Sequence, residues 1–162
     1  MQDEVDRLVE AWRRERPDLD VAPLDVLSRV SRLARHLDLA RRTVLDGHDL
    51  EVWEFDVLTT LRRAGPPYEL SPSELLKATL VTSGTMTNRI QRLAASGLVS
   101  RHPDPRDGRG ARIRLTARGR TTADSVMADL LREERTLLAS LTDAQRTTLA
   151  SLLRTLLLPF DN

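Results

Sequence analysis

Apolar residues recur with the period of an α-helix over most of the chain. The first group has the spacing i, i+3, i+4 and i+7 and consists of Val5, Leu8, Val9 and Trp12. It predicts an amphipathic helix over residues 3–16, ended by the proline that follows. The second group has the same period and consists of Val26, Val30, Leu33, Leu37, Ala40 and Val44. It predicts a longer helix over residues 23–46, and such a length in a small domain favours a central scaffold or a dimerisation element.

The middle of the chain predicts two helices joined by a short turn. A third helix stops at Gly65, which precedes two prolines that cannot continue it. Ser71 and Glu74 then form a capping box, in which the Ser71 hydroxyl can accept from the Glu74 amide while the Glu74 carboxylate reaches back. The helix that starts there is followed by a turn and another helix over residues 83–96. The arrangement predicts a helix-turn-helix.

Two short strands joined by a hairpin loop are predicted after this helix. Residues 98–101 read as one strand, and residues 111–115 alternate charged and apolar side chains as the returning strand. The loop PDPRDGRG between them is too rich in proline, glycine and aspartate for regular structure, and it carries Arg106 and Arg109. Such long guanidinium arms can enter a minor groove or hold phosphates. The predicted fold is therefore mainly α with a small two-stranded β-wing, a winged helix-turn-helix.

The charge of the chain is localised rather than large. With 25 Lys and Arg against 24 Asp and Glu, the formal net charge is only +1. Between residues 83 and 120, nine arginines stand against two aspartates, so this segment carries +7 and the rest of the chain carries −6. A cationic segment on an acidic body suits a protein that meets phosphate with one face. The alternative is that the basic run is ordinary solvated surface.

The remaining composition narrows the classes of function. The chain has no cysteine, which excludes disulfides and thiolate chemistry, and its three histidines are too scattered for a metal or catalytic cluster. No apolar run has the length of a membrane span, and the N-terminus lacks the pattern of a signal peptide. We therefore expect a single cytoplasmic domain over residues 1–162 that is not an enzyme and has no catalytic residue, metal or cofactor.

The helix over residues 83–96 carries most of the side chains that we expect to contact double-stranded DNA. Met86, Ile90 and Leu93 share one face and predict its buried side. The other faces carry short polar and basic groups that can pair with base edges or phosphates. The predicted DNA-binding residues are Ser83, Thr85, Thr87, Asn88, Gln91 and Arg92 in this helix and Arg106, Arg109 and Arg112 in the hairpin. For the helix, the alternative is an ordinary polar surface.

Residues 80–120 resemble the MarR family of transcriptional regulators, whose wing has an Asp-x-Arg pattern and closes on Leu-Thr. Here these positions are Asp107, Arg109, Leu115 and Thr116. The resemblance extends over nearly the whole chain. Within the family, the additional N-terminal helix and the WEFDVL segment at residues 53–58 resemble the urate-responsive branch and, more closely, the TamR group that responds to trans-aconitate and related tricarboxylates.

The resemblance implies an obligate homodimer that binds a palindromic operator. Residues 1–46 and 117–162 would supply the dimerisation helices, and residues 47–116 the DNA-binding lobe. The sequence adds a second capping box at Thr142 and Gln145, which opens a C-terminal helix. An apolar stripe on that helix is wide enough to need a partner and consists of Leu149, Leu152, Leu153, Leu156 and Leu157. The alternative is that this stripe packs within one chain.

The resemblance also implies a site for a small anionic effector, a tricarboxylate such as trans-aconitate or citrate. It transfers four ligand-binding positions: Trp12, Asp56, Arg89 and Arg101. Two arginines can hold an anion by paired hydrogen bonds, and an indole supplies a wall and one N–H donor. Because a carboxylate beside an anion is unfavourable, we hypothesise that Asp56 pairs with Arg89 in the empty state. A ligand that displaces Asp56 would then shift the recognition helix and lower operator affinity.

Alternatives remain open for these residues and for the function. Trp12 could complete the apolar stripe of the first helix, the two arginines could contact phosphate, and Asp56 could form a surface ion pair. His36 on the long helix is a candidate pH sensor, although such a histidine is more often packed or solvated. The alternative functions are an effector-independent DNA-binding module, a regulator that responds to urate or another aromatic anion, and a helical protein-interaction module or an enzyme.

Overall fold

The structure is a computed structural model that describes residues 2–79, 83–105 and 107–161, with the backbone alone described at residues 83 and 107–109. In chain order its helices are α1 (Glu4–Glu15), α2 (Ala22–Asp46), α3 (Val52–Arg63), α4 (Pro72–Thr79), α5 (Ser83–Ala95), α6 (Ala117–Leu137) and α7 (Asp143–Leu157), followed by a 3₁₀ turn (Leu158–Phe160). The strands are β1 (Glu69–Leu70), β2 (Val99–Asp104) and β3 (Asp107–Leu115). The predicted mainly α architecture with a small antiparallel sheet is confirmed.

The chain forms two compact units, and the first extends to Thr43. It contains α1 and most of α2, and its buried side chains are Val5, Val9 and Val21. A capping box of Asp3 and Asp6 begins α1. Arg29 of α2 reaches both carboxylates, with 2.8 Å from its Nε to Asp3 Oδ2 and 2.6 Å from its Nη2 to Asp6 Oδ1. These charge-assisted bonds fix the register of α1 against α2 within this unit.

The second unit begins at Val44 and holds the larger core. Its central fully buried side chains come from α3, α4, α5 and β3 and include Leu58, Leu61, Leu75, Met86, Leu93 and Ile113. The predicted inward face of the helix over residues 83–96 is therefore confirmed, since Met86 and Leu93 are almost completely buried and Ile90 is 7% exposed. The capping box that begins α4 is confirmed as well, because the Ser71 amide donates to Glu74 Oε2 at 2.7 Å and the Glu74 amide to Ser71 Oγ at 3.2 Å.

The sheet differs from the two-stranded wing predicted from the sequence. It has three antiparallel strands in the order β1-β3-β2, and β1 pairs Glu69 with Arg114 and Leu70 with Ile113. A strand of two residues is too short to show an alternation of apolar and polar side chains, so the hydrophobic pattern of the sequence did not reveal β1. The prediction of an irregular loop was also too broad, because β2 continues to Asp104 and β3 already begins at Asp107.

The start of α6 is packed tightly against the base of the wing. Thr116 caps the helix by accepting from the Gly119 amide at 2.9 Å. Its own amide donates to the Leu98 carbonyl at 3.1 Å, and its hydroxyl donates to the Gly97 carbonyl at 2.8 Å. A Cβ placed on Gly119 would lie 1.9 Å from the Leu98 carbonyl oxygen. Only glycine fits this close approach of helix and strand, so the wing and α6 are joined through backbone contacts.

Two apolar surfaces stay uncovered in the single chain. On α2, the predicted stripe leaves Val26, Val30, Leu33 and Leu37 each between 39% and 53% exposed. The capping box at Thr142 and Gln145 is confirmed at the start of α7. That helix has no buried residue, and Leu152, Leu156 and Leu157 are 50–60% exposed. Packing within one chain is therefore not observed for these three leucines.

Candidate nucleic-acid interface

Helix α5 turns a polar face outward along the part whose side chains the structure describes. While Met86, Ile90 and Leu93 are buried, the intervening side chains of Thr85, Thr87, Asn88, Gln91 and Arg92 are exposed. Asn and Gln can pair bidentately with adenine, Arg with guanine or phosphate, and a threonine methyl can touch the methyl of thymine. The geometry therefore presents five of the six predicted helix contacts to solvent. The side chain of Ser83, the sixth, lies outside the described residues.

Arg92 is held on the surface by two residues of the segment that begins α3. Its Nη2 donates to Glu51 Oε1 at 2.6 Å, and its guanidinium lies over the Trp53 ring at 4.8 Å from the centroid. The Trp53 indole N–H donates to the other oxygen of Glu51 at 2.7 Å. Hydrogen bonds from Arg92, and secondarily from Trp53, lower the pKa of the Glu51 carboxyl. The charged form of Glu51 is therefore the one that this cluster favours.

The ligand-binding residues predicted in the second unit lie on three different elements. Arg89 is half-buried on α5, and its guanidinium lies over Trp53 at 5.2 Å from the ring centroid. Asp56 is half-buried on α3, where its carbonyl oxygen accepts from the Thr60 hydroxyl at 2.7 Å. Arg101 is exposed on β2, opposite Ile113 of β3. Their joint role in binding a ligand stays a prediction.

The two predicted site residues of the first unit are both on its surface. Trp12 is 47% exposed on α1. His36 is exposed on α2, beside Ser31, Arg32 and Arg35 along a shallow groove. A role for Trp12 in ligand binding and a role for His36 in pH sensing both stay predictions.

Arg112, the predicted hairpin contact nearest the base of the wing, is surrounded by carboxylates. Its Nη1 lies 3.0 Å from Glu74 Oε2 and 4.0 Å from Asp104 Oδ2, and its Nε lies 3.6 Å from Glu69 Oε1. Since Glu74 also caps α4, this arginine connects the wing to the first helix of the helix-turn-helix. The same Glu69 binds Arg114 at 2.6 Å. A DNA contact by Arg112 stays a prediction, and it would have to share or replace these ion pairs.

The tip of the wing falls partly outside the described residues. Arg106 is one of the residues left undescribed, and only the backbone is described for Arg109. Their predicted DNA contacts are therefore not addressed by the geometry. Among the residues that are described, no three His, Asp or Glu side chains come together as a metal site. Within the same ranges, none of the helices combines the length and hydrophobicity needed to cross a bilayer.

Glu51 and Trp53 are the site residues that reasoning from the sequence did not identify. Glu51 precedes Arg92 by 41 positions, so their pairing leaves no local pattern. Trp53 stood only in the WEFDVL segment that carried the family resemblance. The available signal was an acidic residue two positions before a tryptophan at the start of a helix, which is too common to indicate a site.

Comparisons with known proteins give one consistent family. The sequence profile of the MarR family matches residues 48–110, which include α3, α4, α5 and most of the wing. The HTH-type transcriptional regulator PecS of Dickeya dadantii is 38% identical over 150 residues, which cover 93% of this chain and 90% of PecS.

Two solved structures share the fold. One is a cysteine-to-serine mutant of MarR from E. coli complexed with operator DNA, with a TM-score of 0.63 and 26% identity over 86% of this chain and 99% of that one. The other is Bordetella bronchiseptica BpsR, described with the regulation of its DNA binding by 6-hydroxynicotinic acid, with a TM-score of 0.65 and 25% identity over 81% of this chain and 91% of that one. Since PecS exceeds 30% identity across nearly the whole chain, this protein belongs to the MarR family of helix-turn-helix transcriptional regulators.

Proposed function

We propose that this regulator binds a palindromic operator as a dimer and represses transcription until a small anionic metabolite releases it. The observation that carries the proposal is the exposure pattern of α5, which buries Met86 and Leu93 and presents Asn88, Gln91 and Arg92 to solvent. An α-helix with this polar face fits the major groove of B-form DNA. The related MarR structure that contains operator DNA supports DNA binding by a chain of this fold.

The dimer part of the proposal is supported by apolar surface that the single chain leaves open. The exposed leucines of α7 and the exposed stripe of α2 are apolar side chains grouped on one helix each, and such groups mark interaction surfaces. A two-fold dimer would present two copies of α5, and a separation of about 34–36 Å would match successive major grooves. The operator would then be a palindrome.

The wing adds the part of the interface that does not depend on the DNA sequence. Arg106 and Arg109 belong to the hairpin loop that the sequence predicts. The segment from residue 83 to residue 120 carries +7 of formal charge, which favours contact with several phosphates. Wing arginines of this kind position a protein on the duplex, while base contacts from the helix select the sequence.

For the effector we propose a small anion, with a tricarboxylate such as trans-aconitate or citrate as the first candidate. Arg89 and Arg101 would supply cationic groups, and Asp56 would be the group that the anion displaces. Because Arg89 belongs to α5, a change at its side chain acts directly on the helix that reads DNA. A helix shift of about 1–2 Å is enough to misplace the two α5 helices of the dimer relative to two successive major grooves. Trp12 is a separate candidate, tested by its own substitution.

An aromatic anion is the second candidate effector. The relative BpsR is described with 6-hydroxynicotinic acid, a small aromatic acid, and the TamR resemblance lies next to a urate-responsive branch. In this chain the Arg89 guanidinium lies over the Trp53 ring, and a planar guanidinium can pair with the carboxylate of a planar acid. Titration with both classes of acid separates these candidates.

The test is a fluorescence-anisotropy titration of the duplex that precedes the protein's own gene, followed by additions of citrate, trans-aconitate, urate and 6-hydroxynicotinate. We expect tight binding that one of these acids reverses. The variant Arg101→Ala should bind the duplex and need more acid for release, because it loses a cationic group of the site. The variant Asp56→Ala lacks the carboxylate that the anion displaces, so it should need less acid. If both release DNA at the wild-type acid concentration, the effector site is wrong. If none of the acids releases the wild type, the effector-independent alternative is favoured.

A further inference from the structure

The cluster of Glu51, Trp53 and Arg92 is organised more tightly than an exposed ion pair requires. Each oxygen of the Glu51 carboxylate accepts one hydrogen bond, from Arg92 at 2.6 Å and from the Trp53 indole at 2.7 Å. The Glu51 backbone is fixed as well, because its amide donates to Glu54 Oε2 at 3.0 Å and Glu54 is 8% exposed. The three side chains thus form a closed triangle that is anchored to the start of α3.

The guanidinium of Arg92 is restricted in two directions by this triangle. Glu51 binds one terminal nitrogen, and the face of the Trp53 ring lies 4.8 Å away. A guanidinium has five N–H donors in a planar fork, so the bond to Glu51 occupies only part of its capacity. The Arg92 side chain is 54% exposed, and it lines a shallow depression together with Trp53, Thr85 and Asn88.

We infer that Glu51 and Trp53 position Arg92 of the recognition helix for its contact with DNA. The inference rests on the proposed function and adds Glu51 and Trp53 as positioning residues that do not themselves need to touch the duplex. An arginine free to rotate loses much side-chain entropy when it binds. Holding the guanidinium in one orientation before DNA arrives reduces that loss, and it restricts which base or phosphate the free edge can reach.

The main competing explanation is that the Glu51 carboxylate weakens the contact between Arg92 and DNA. A negative charge near DNA repels phosphate, so Glu51 could instead hold Arg92 back. The geometry favours positioning, because both Glu51 oxygens are already engaged by donors while the Arg92 side chain stays 54% exposed. The two explanations predict opposite signs for the effect of removing the charge.

The test compares Glu51→Gln with the wild type on two duplexes. One duplex carries the palindrome that the wild-type protein selects from a randomised library, and the other has the same length and a scrambled sequence. Glutamine keeps an acceptor for the indole but removes the ion pair. We expect affinity for the selected duplex to fall about two- to tenfold, the range that corresponds to immobilising one flexible side chain. Affinity for the scrambled duplex should change much less.

Two controls separate positioning from charge and from folding. Asp49→Asn removes one exposed carboxylate outside the expected dimerisation helices, and asparagine tolerates the positive φ of that residue, so it reports the effect of net charge. Trp53→Phe keeps an aromatic face for Arg92 but removes the N–H that holds Glu51, and we expect a smaller loss in the same direction. Far-ultraviolet circular dichroism checks that each variant is folded. In an Arg92→Ala background, Glu51→Gln should have no further effect on the selected duplex.

The outcomes are distinct. If the wild type selects a palindrome but Glu51→Gln binds it as tightly or more tightly, positioning is refuted and the proposed function stands. A steeper salt dependence in Glu51→Gln, by about 0.9 in the slope of log K against log salt for each additional phosphate that the variant neutralises, would show that Glu51 competes with DNA. If Glu51→Gln still weakens binding in the Arg92→Ala background, Glu51 does not act through Arg92. If the wild type selects no sequence, the proposed function and this inference both fall.

Discussion

Replacing Gly119 with alanine should destabilise the second unit, because α6 approaches the wing more closely than any side chain permits. The new Cβ would lie 1.9 Å from the Leu98 carbonyl oxygen, 2.9 Å from the Leu98 carbonyl carbon and 3.2 Å from Leu115 Cδ2. Ordinary contact begins at 3.4 Å, so helix and strand must separate by about 1.5 Å at this point. The obstacle is backbone, which cannot rotate away as a side chain can.

The magnitude follows from the contacts that such a separation disturbs. Overpacking in a close-packed region costs about 1–3 kcal/mol. The Leu98 carbonyl also accepts from the Thr116 amide at 3.1 Å, and the neighbouring Gly97 carbonyl accepts from the Thr116 hydroxyl at 2.8 Å. Each weakened bond contributes about 1 kcal/mol. Alanine regains about 1 kcal/mol through its higher helix propensity. We therefore expect a net loss of about 2 kcal/mol.

Gly84→Ala is the matched control, because this glycine also lies in a helix but a Cβ there would meet nothing within 4 Å. It should be neutral or stabilising by about 0.5–1 kcal/mol. The assay is urea unfolding followed by circular dichroism at one fixed protein concentration, since association would otherwise contribute to the apparent stability. The midpoint should fall by about 1 M for Gly119→Ala. Equal midpoints for the two variants would refute the close contact between α6 and Leu98.

Two further predictions concern carboxylates whose pKa is lowered in the folded protein. The pKa of Glu74 is lowered chiefly by the Ser71 amide, with help from Arg112, so its contribution to stability is present at neutral pH and is lost as the pH falls through the lowered value. Glu74→Gln should lower the free energy of unfolding at neutral pH by less than about 1 kcal/mol, because the carboxylate is half exposed. In acid the unfolding curves of the variant and the wild type should converge, and curves that stay apart would contradict this prediction. The pKa of Asp129 is lowered chiefly by its 2.8 Å hydrogen bond with His48. Asp129→Asn should therefore lower the melting temperature at neutral pH. The substitution should have no effect below the pH range in which aspartate ordinarily titrates. A difference in melting temperature between Asp129→Asn and the wild type that stays constant across that pH range would contradict this prediction.

The features of this fold that the sequence predicts are those that depend on residues only a few positions apart. The capping boxes at Ser71 and Thr142 fix the starts of α4 and α7 because each uses residues three positions apart. The buried face of α5 follows from the spacing of Met86 and Leu93. Periodicity and caps are properties of a few neighbouring residues, and they survive any tertiary arrangement that the chain adopts.

The unpredicted part depends on pairs that are distant in the sequence. Strand β1 exists because Glu69 and Leu70 meet the edge of β3, and Glu69 then binds Arg114 across 45 positions. The sequence predicts that Arg112 faces DNA, whereas the fold also places three carboxylates around it. Likewise, the contact between Glu51 and Arg92 joins two elements that no local motif connects. Such contacts follow from the packing of α3, α4 and the wing, which a single sequence does not display.

The central claim is that α5 and the wing bind duplex DNA in a sequence-dependent manner. The most direct measurement is the equilibrium affinity of the wild-type protein for the duplex preceding its own gene and for a scrambled duplex of equal length, each over a series of salt concentrations. We predict tighter binding to the first duplex and a slope of about −0.9 in log K against log salt for each phosphate contacted. Equal affinity for both duplexes, or binding that does not respond to salt, would contradict the account.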